Sequence, residues 1–213
     1  DPGHGGKDAG AIGANGIKEK DVALKISLET KRVLEAAGFA VKLTRQKDTF
    51  VPLEERTAMA NRLNADVFLS IHANAHDGKD VHGVESYYLD TTSDRYALRL
   101  AAVENKVREE RVSEIQLALA QVSSRLHTQA SKNIAGKVTD SLAKAARHQT
   151  GRVRNLGVKP SLFYVLLGAR MPAVLIEASF VTNPKDAQLL SSKKGSRALG
   201  KAIGEAVVDY VRQ

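Results

Sequence analysis

The chain has no cysteine. Disulfides and thiolate metal sites are therefore excluded, and any metal must rest on His, Asp or Glu. The absence does not choose between a reducing and an oxidising compartment. No apolar run is long enough to span a bilayer. A signal peptide is also missing. Asp1 should follow a buried strand, so the chain is expected to be a catalytic region with any targeting sequence or accessory domain outside it. Acid is missing from a long interval: between Asp140 and Glu177 there is none, while Lys144, Arg147, Arg152, Arg154, Lys159 and Arg170 fall there. With a net charge of +8, this favours an anionic partner such as nucleic acid, a membrane surface or an acidic cell-wall polymer. A solvated basic helix end and loop accounts for the same stretch equally well.

The 213 residues, 43% of them hydrophobic, suffice for one domain with a real core. After a glycine-rich loop, Val22, Ile26, Val33, Leu34 and Ala37 follow helical spacing up to Gly38. Phe39–Thr44 reads as a strand, and Pro52 opens a helix over Leu53–Leu63. The nearly continuous apolar run 65–71 is expected to be a central strand with His72 at its end. Residues 83–89, 162–167 and 173–176 read as further strands, and 185–190 and 196–212 as helices. Strands alternating with helices predict an α/β fold, a largely parallel twisted sheet flanked by helices. Residues 91–156 interrupt the alternation and have no strand signal. Leu98, Ala101, Ala102 and Asn105 share one helical face, and Ile115, Leu119, Val122 and Leu126 another. Two inserted helices with a break near Arg111–Ser113 are expected, a candidate lid or binding element.

The first eight residues, Asp1-Pro2-Gly3-His4-Gly5-Gly6-Lys7-Asp8, bring a histidine to a turn whose glycines admit a ligand close to the backbone. Glu19, His72 and Glu177 are the residues that can converge on it. His4, His72 and Glu177 each follow a strand, and in such sheets ligands bind beyond the carboxyl ends of the strands. Two imidazoles and a carboxylate make a common catalytic zinc set. A second carboxylate kept off the metal can carry a proton. Which of Glu19 and Glu177 takes which part is left open by the spacing. Glu19 alone would pass for an acid at a helix start. A carboxylate after Ala173-Val174-Leu175-Ile176 is costly to bury without a role. Arg45 either steadies loops or binds substrate carboxylates, Asn74 positions a ligand or a loop, and Arg56 reads as one half of a structural ion pair. His76, His82, His127 and His148 read as structural.

These residues fall in pieces that resemble a known family: Asp1-Pro2-Gly3-His4-Gly5-Gly6, Gly16-Ile17-Lys18-Glu19-Lys20, Leu43-Thr44-Arg45, Ser70-Ile71-His72-Ala73-Asn74, Gly83-Val84-Glu85 and Glu177-Ala178-Ser179-Phe180-Val181-Thr182-Asn183. Taken in order, they resemble the zinc-dependent N-acetylmuramoyl-L-alanine amidases of bacterial cell-wall cleavage. One departure is Ser179, where many relatives are expected to carry glycine. The resemblance implies one zinc on His4, Glu19 and His72, with Glu177 taking a proton from water and returning it to the departing amine. It implies peptidoglycan as substrate and the Gram-negative periplasm as location. In the cell-division branch of the family, an insertion at this place carries a helix that blocks the zinc until an activator displaces it. Residues 100–106 resemble that helix, with Glu104 as the blocking carboxylate, although an i,i+4 pair with Arg108 is an ordinary alternative. The implied partner is a LytM-type activator gripping the insertion. No nucleic acid is expected. A zinc peptidase or deacetylase is the alternative enzyme. The alternative outside enzymes is a peptidoglycan- or nucleic-acid-binding module using Lys144–Lys159. Glu177 beside a full ligand set argues against a module that only binds.

Overall fold

The computed structural model describes residues 1–120 and 127–213. Four strands, β1 (Phe68–Asn74), β2 (Val84–Leu89), β3 (Asn155–Ser161) and β4 (Ala173–Phe180), form one sheet in the order β1-β4-β2-β3. β1 pairs parallel with β4 and β2 with β3, whereas β2 runs antiparallel to β4. The sheet is thus mixed, parallel in two of its three pairings. β4 is buried at every position, as an internal strand covered on both faces must be.

Alternation along the strands sorts two cores. Val174, Ile176 and Ala178 of β4 join a cluster with α1 (Glu19–Ala36), α5 (Thr128–Thr150) and α7 (Lys193–Val211). Ala173 and Leu175 face the opposite cluster, with α2 (Leu53–Arg62), α3 (Arg95–Asn105) and α4 (Glu109–Ala120). α6 (Pro184–Ser191) closes the end of β4, its first amides capped by the Asn183 side chain.

Four expectations are corrected. Among the described residues, Phe39–Thr44 pairs with no strand, and Phe39, Val41, Leu43, Leu69 and Ile71 line one groove between it and β1. Residues 162–167 hold a single 3-10 turn, Tyr164–Leu166, and the strand lies just before them at 155–161. Leu162, Phe163, Val165 and Leu166 are buried in the second core, and an all-apolar run fits a buried turn as well as a strand. β3 was hidden by Gly157 and Pro160, tolerated because it is an edge strand. The 91–156 interval holds three helices, α3, α4 and α5, and the first break falls at 106–108 rather than 111–113. Ile134, Val138 and Leu142 of α5 belong to the main core. Ile115 packs against the second core, while Val122 and Leu126 lie outside the described residues.

Candidate metal centre

The site is built on the loop entered from Pro2, which bridges in parallel to Ile71 at the free edge of β1. His4 adopts φ 57°, a left-handed conformation uncommon for a non-glycine residue, and Gly5 and Gly6 continue the turn at φ 125° and 57°. The turn directs His4 Nδ1 to Asp8 Oδ2 at 3.1 Å and leaves Nε2 facing inward. Two glycines make room for the ligands. A Cβ on Gly3 would meet the His72 ring at 2.6 Å, and one on Gly10 would meet Glu19 Oε2 and the His4 ring at 2.6 Å. Two buried arginines hold the loop. Arg56 pairs with Asp1 at 2.8 Å and donates to the Val51, Pro2 and His4 carbonyls, the structural role expected of it. Arg45, expected among the substrate-binding residues, donates instead to the carbonyls of Pro2, Gly3, Lys20 and Lys47. Its donors are used inside the protein, which leaves the loop-steadying alternative.

Glu19 opens α1 and points its carboxylate between the two histidines, Oε1 lying 2.9 Å from both His4 Nε2 and His72 Nδ1. The Ala11 and Ala73 amides donate to this carboxylate and fix it. Glu104 of α3 brings Oε2 to 3.3 Å from the same two ring nitrogens, and since α3 ends at Asn105 the carboxylate faces the histidines and Arg108 lies past the helix end. Ligand atoms of His4, Glu19, His72 and Glu104 all lie within 4.8 Å of one another. Among the described residues, His76, His82, His127 and His148 take no part in such a group.

Several observations fit a divalent cation here. His4 Nε2 is buried yet makes no hydrogen bond, despite lying 2.9 Å from Glu19. Burial alone would lower the His4 pKa, but the Glu19, Asp8 and Glu104 carboxylates outweigh it and push it up to about 12. Glu19 is held well below the usual carboxylate range: its burial, which would raise it, is overcome by His4 and His72. Negative charge is thus in excess around two buried imidazoles, and a cation relieves it while freeing His4 to be a neutral ligand. The mixed N/O donor set is one that zinc accepts.

Glu177 lies opposite His72 in the β1–β4 pairing, on the same face of the sheet. Both its carboxylate oxygens are buried without a hydrogen-bond partner. Burial, reinforced by Glu19, Glu104 and Glu85, raises its pKa well above the ordinary value. Asn74 is buried two residues past His72, where its amide donates to Glu85 Oε1 at 2.6 Å and its carbonyl accepts from Ala75 N. Sequence reasoning missed Asp8, which orients His4, and the group formed by Glu85, Lys159 and Tyr96. Glu85 lies in the Gly83-Val84-Glu85 piece, but strand register alone brings it beside Glu177.

A mixed α/β sheet carries a His/Glu/His cluster that could hold a metal ion, with a buried carboxylate beside it. Residues 1–209 match the N-acetylmuramoyl-L-alanine amidase family. The chain is 35% identical to N-acetylmuramoyl-L-alanine amidase AmiA of Escherichia coli over 99% of its own length and 74% of that protein. It is 34% identical to AmiC of Neisseria meningitidis over 99% of its own length, spanning about half (51%) of that relative. Among solved structures, amidase AmiC2 of Nostoc punctiforme matches with a TM-score of 0.72 at 30% identity, covering 100% of this chain and 95% of that one. An amidase from Clostridium difficile matches with a TM-score of 0.77 at 28% identity, again covering 100% and 95%. The chain belongs to the N-acetylmuramoyl-L-alanine amidase family and is a hydrolase domain.

Proposed function

We propose that the protein cleaves the amide bond between N-acetylmuramic acid and L-alanine in peptidoglycan, with one zinc on His4, Glu19 and His72. The observation that carries this reading is Glu177: a buried carboxylate with no partner, one strand away from His72. When bound, zinc supplies Lewis acidity, lowering the pKa of water from about 15.7 to roughly 7 and drawing charge from a carbonyl. The chain's own residues do the rest. Asp8 fixes the His4 ring through Nδ1, and Gly3 and Gly10 keep the backbone clear of His72 and Glu19. Glu177 takes a proton on its carboxylate and returns it to the departing amine of L-alanine. Its solvent-poor setting favours the protonated form it needs as the acid.

In this reading the closed form is self-inhibited. Glu104 takes the position that substrate needs beside His4 and His72, and α3 covers the cleft. An activator that binds the open form better shifts the population. The location proposed is the periplasm. Among the described residues, no helix is long and apolar enough to cross a membrane. Glu177→Ala tests the assignment of roles. It should keep the fold and about one zinc per chain while lowering turnover by about 10²–10⁴-fold, the range for lost proton transfer. Near-parental cleavage by that variant would remove Glu177 from the mechanism.

A further inference from the structure

β1, β4 and β2 present His72, Glu177 and Glu85 in one row across the sheet. At about 4.8 Å per strand, Glu85 stands roughly 10 Å from His72 on the same face. It is fully buried, and the proton transfers at Glu177 do not use it. Its carboxylate pairs with Lys159 Nζ at 2.7 Å and accepts from Asn74 Nδ2 at 2.6 Å. The third partner comes from elsewhere: the Tyr96 hydroxyl, 3.3 Å from Glu85 Oε1 and 3.0 Å from Asn74 Nδ2, belongs to α3. Tyr96, Leu100, Val103 and Glu104, at helical spacing i, i+4, i+7 and i+8, line the same cavity together with His76. Two turns of helix, about 12 Å, separate Tyr96 from Glu104. The Tyr96 ring lies 5.0 Å from Lys159 Nζ and 6.0 Å from the His76 ring. One helix therefore plugs two places at once. A carboxylate enters the metal centre, and a flat ring that lines the same cavity reaches Glu85, Lys159 and Asn74 with its hydroxyl and its face.

We propose that Glu85, Lys159 and Asn74 form a substrate-positioning subsite for a sugar ring of the glycan, bound through a neutral hydroxyl that both donates and accepts, and that Tyr96 occupies it while α3 is in place. The proposal rests on the amidase reading above. Charge selects the ligand class. The Lys159 ammonium is already matched by Glu85, so an anionic group would enter without a counter-charge. A sugar hydroxyl, which can donate to Glu85 and accept from Asn74 Nδ2, replaces the tyrosine hydroxyl one for one, and a sugar ring replaces its flat body.

The test compares two soluble substrates on a Glu104→Ala background: a disaccharide–tetrapeptide fragment, and a lactyl-tetrapeptide that lacks the sugars. Glu85→Gln and Lys159→Met should each raise KM about tenfold on the sugar-bearing substrate, as expected for one charged hydrogen bond. Glu85 also acts on Glu177, so any change in kcat should be shared by the two substrates while the rise in KM is confined to the sugar-bearing one, and Lys159→Arg should restore most of that rise. Equal rises in KM on both substrates, or no rise on either, overturn the proposal. Where Glu85→Gln melts below the assay temperature, Tyr96→Ala decides: loosening α3 helps both substrates, and emptying the subsite should lower KM for the sugar-bearing substrate by more, so equal changes in KM for the two overturn the subsite. Failure of the amidase reading is separable. If neither substrate releases an L-alanine amine, calorimetric binding of the disaccharide–tetrapeptide to a Tyr96→Ala/Glu177→Ala chain still reports on the subsite. There Lys159→Met should weaken binding about tenfold, and unchanged binding overturns the proposal.

Discussion

Ser179 holds φ at 96°, in the left-handed region that favours glycine. Its place explains why glycine is expected there. β1 spends one residue between His72 and Asn74 while β4 spends two between Glu177 and Phe180, a bulge that turns the chain just after Glu177. Ser179→Gly should relieve about 1 kcal/mol of strain and raise Tm by roughly 2–4 °C, read by calorimetric melting. An unchanged or lower Tm would mean that packing of the buried serine outweighs the backbone term. Glu177 yields a second residue-scale prediction, on the metal-free protein. Burial holds its folded pKa above the ordinary 4.5, whereas the unfolded chain ionises normally. Between the two pKa values the unfolded state releases a proton that the folded state keeps, so stability falls as pH rises above about 4.3. Metal-free Glu177→Gln should therefore melt like the parent near pH 4 and at a higher temperature at pH 7. Equal melting at both pH values would contradict the shift. Glu177 was legible because an acid next to the apolar run 173–176 has no cheap explanation, although β4 continues past it to Phe180. Glu85 was not, because only register across two strands shows what it faces.

At the scale of elements, α3 is fastened at both ends. Tyr96 bonds Glu85 and Asn74 near its start. At its end the buried Asn105 side chain donates to the Leu162 carbonyl and accepts from Tyr164 N. Lys106 reaches Asp8 at 2.7 Å, but it is 56% exposed, so solvent screens that pair. Glu104→Ala should raise basal turnover while zinc content stays near the parental value, since His4, Glu19 and His72 remain. Asn105→Ala, which leaves buried polar groups unsatisfied at a cost of about 1–3 kcal/mol, should also raise it. Lys106→Ala should change it less than threefold. Turnover of Glu104→Ala at or below that of the parent would dismiss the blocking role. The helix itself was legible from its apolar face. Its end was not: Lys106 takes the left-handed cap at φ 56°, where glycine or asparagine would have marked a stop. Phe39–Thr44 misled in the opposite way, since it has strand composition but lies across a groove from β1.

At the scale of the molecule, the candidate ligands come from the first loop, the start of α1 and β1, and Glu177 from β4, so the sheet is the frame that brings residues 4, 19, 72 and 177 together. The net charge of +8 suits an acidic polymer as substrate. Retention on insoluble cell-wall material should fall as salt rises from 0.1 to 1 M, where screening shortens from about 10 Å to about 3 Å. Retention unaffected by salt would assign binding to the cleft alone. Mass spectrometry of peptidoglycan digested by zinc-loaded parent and Glu104→Ala chains identifies the bond cleaved. Glycan strands with free lactyl carboxyl groups and stem peptides with a free L-alanine amino terminus are expected, formed faster by Glu104→Ala. Cleavage within the peptide, or release of acetate with the lactyl–alanine bond intact, would contradict the amidase reading.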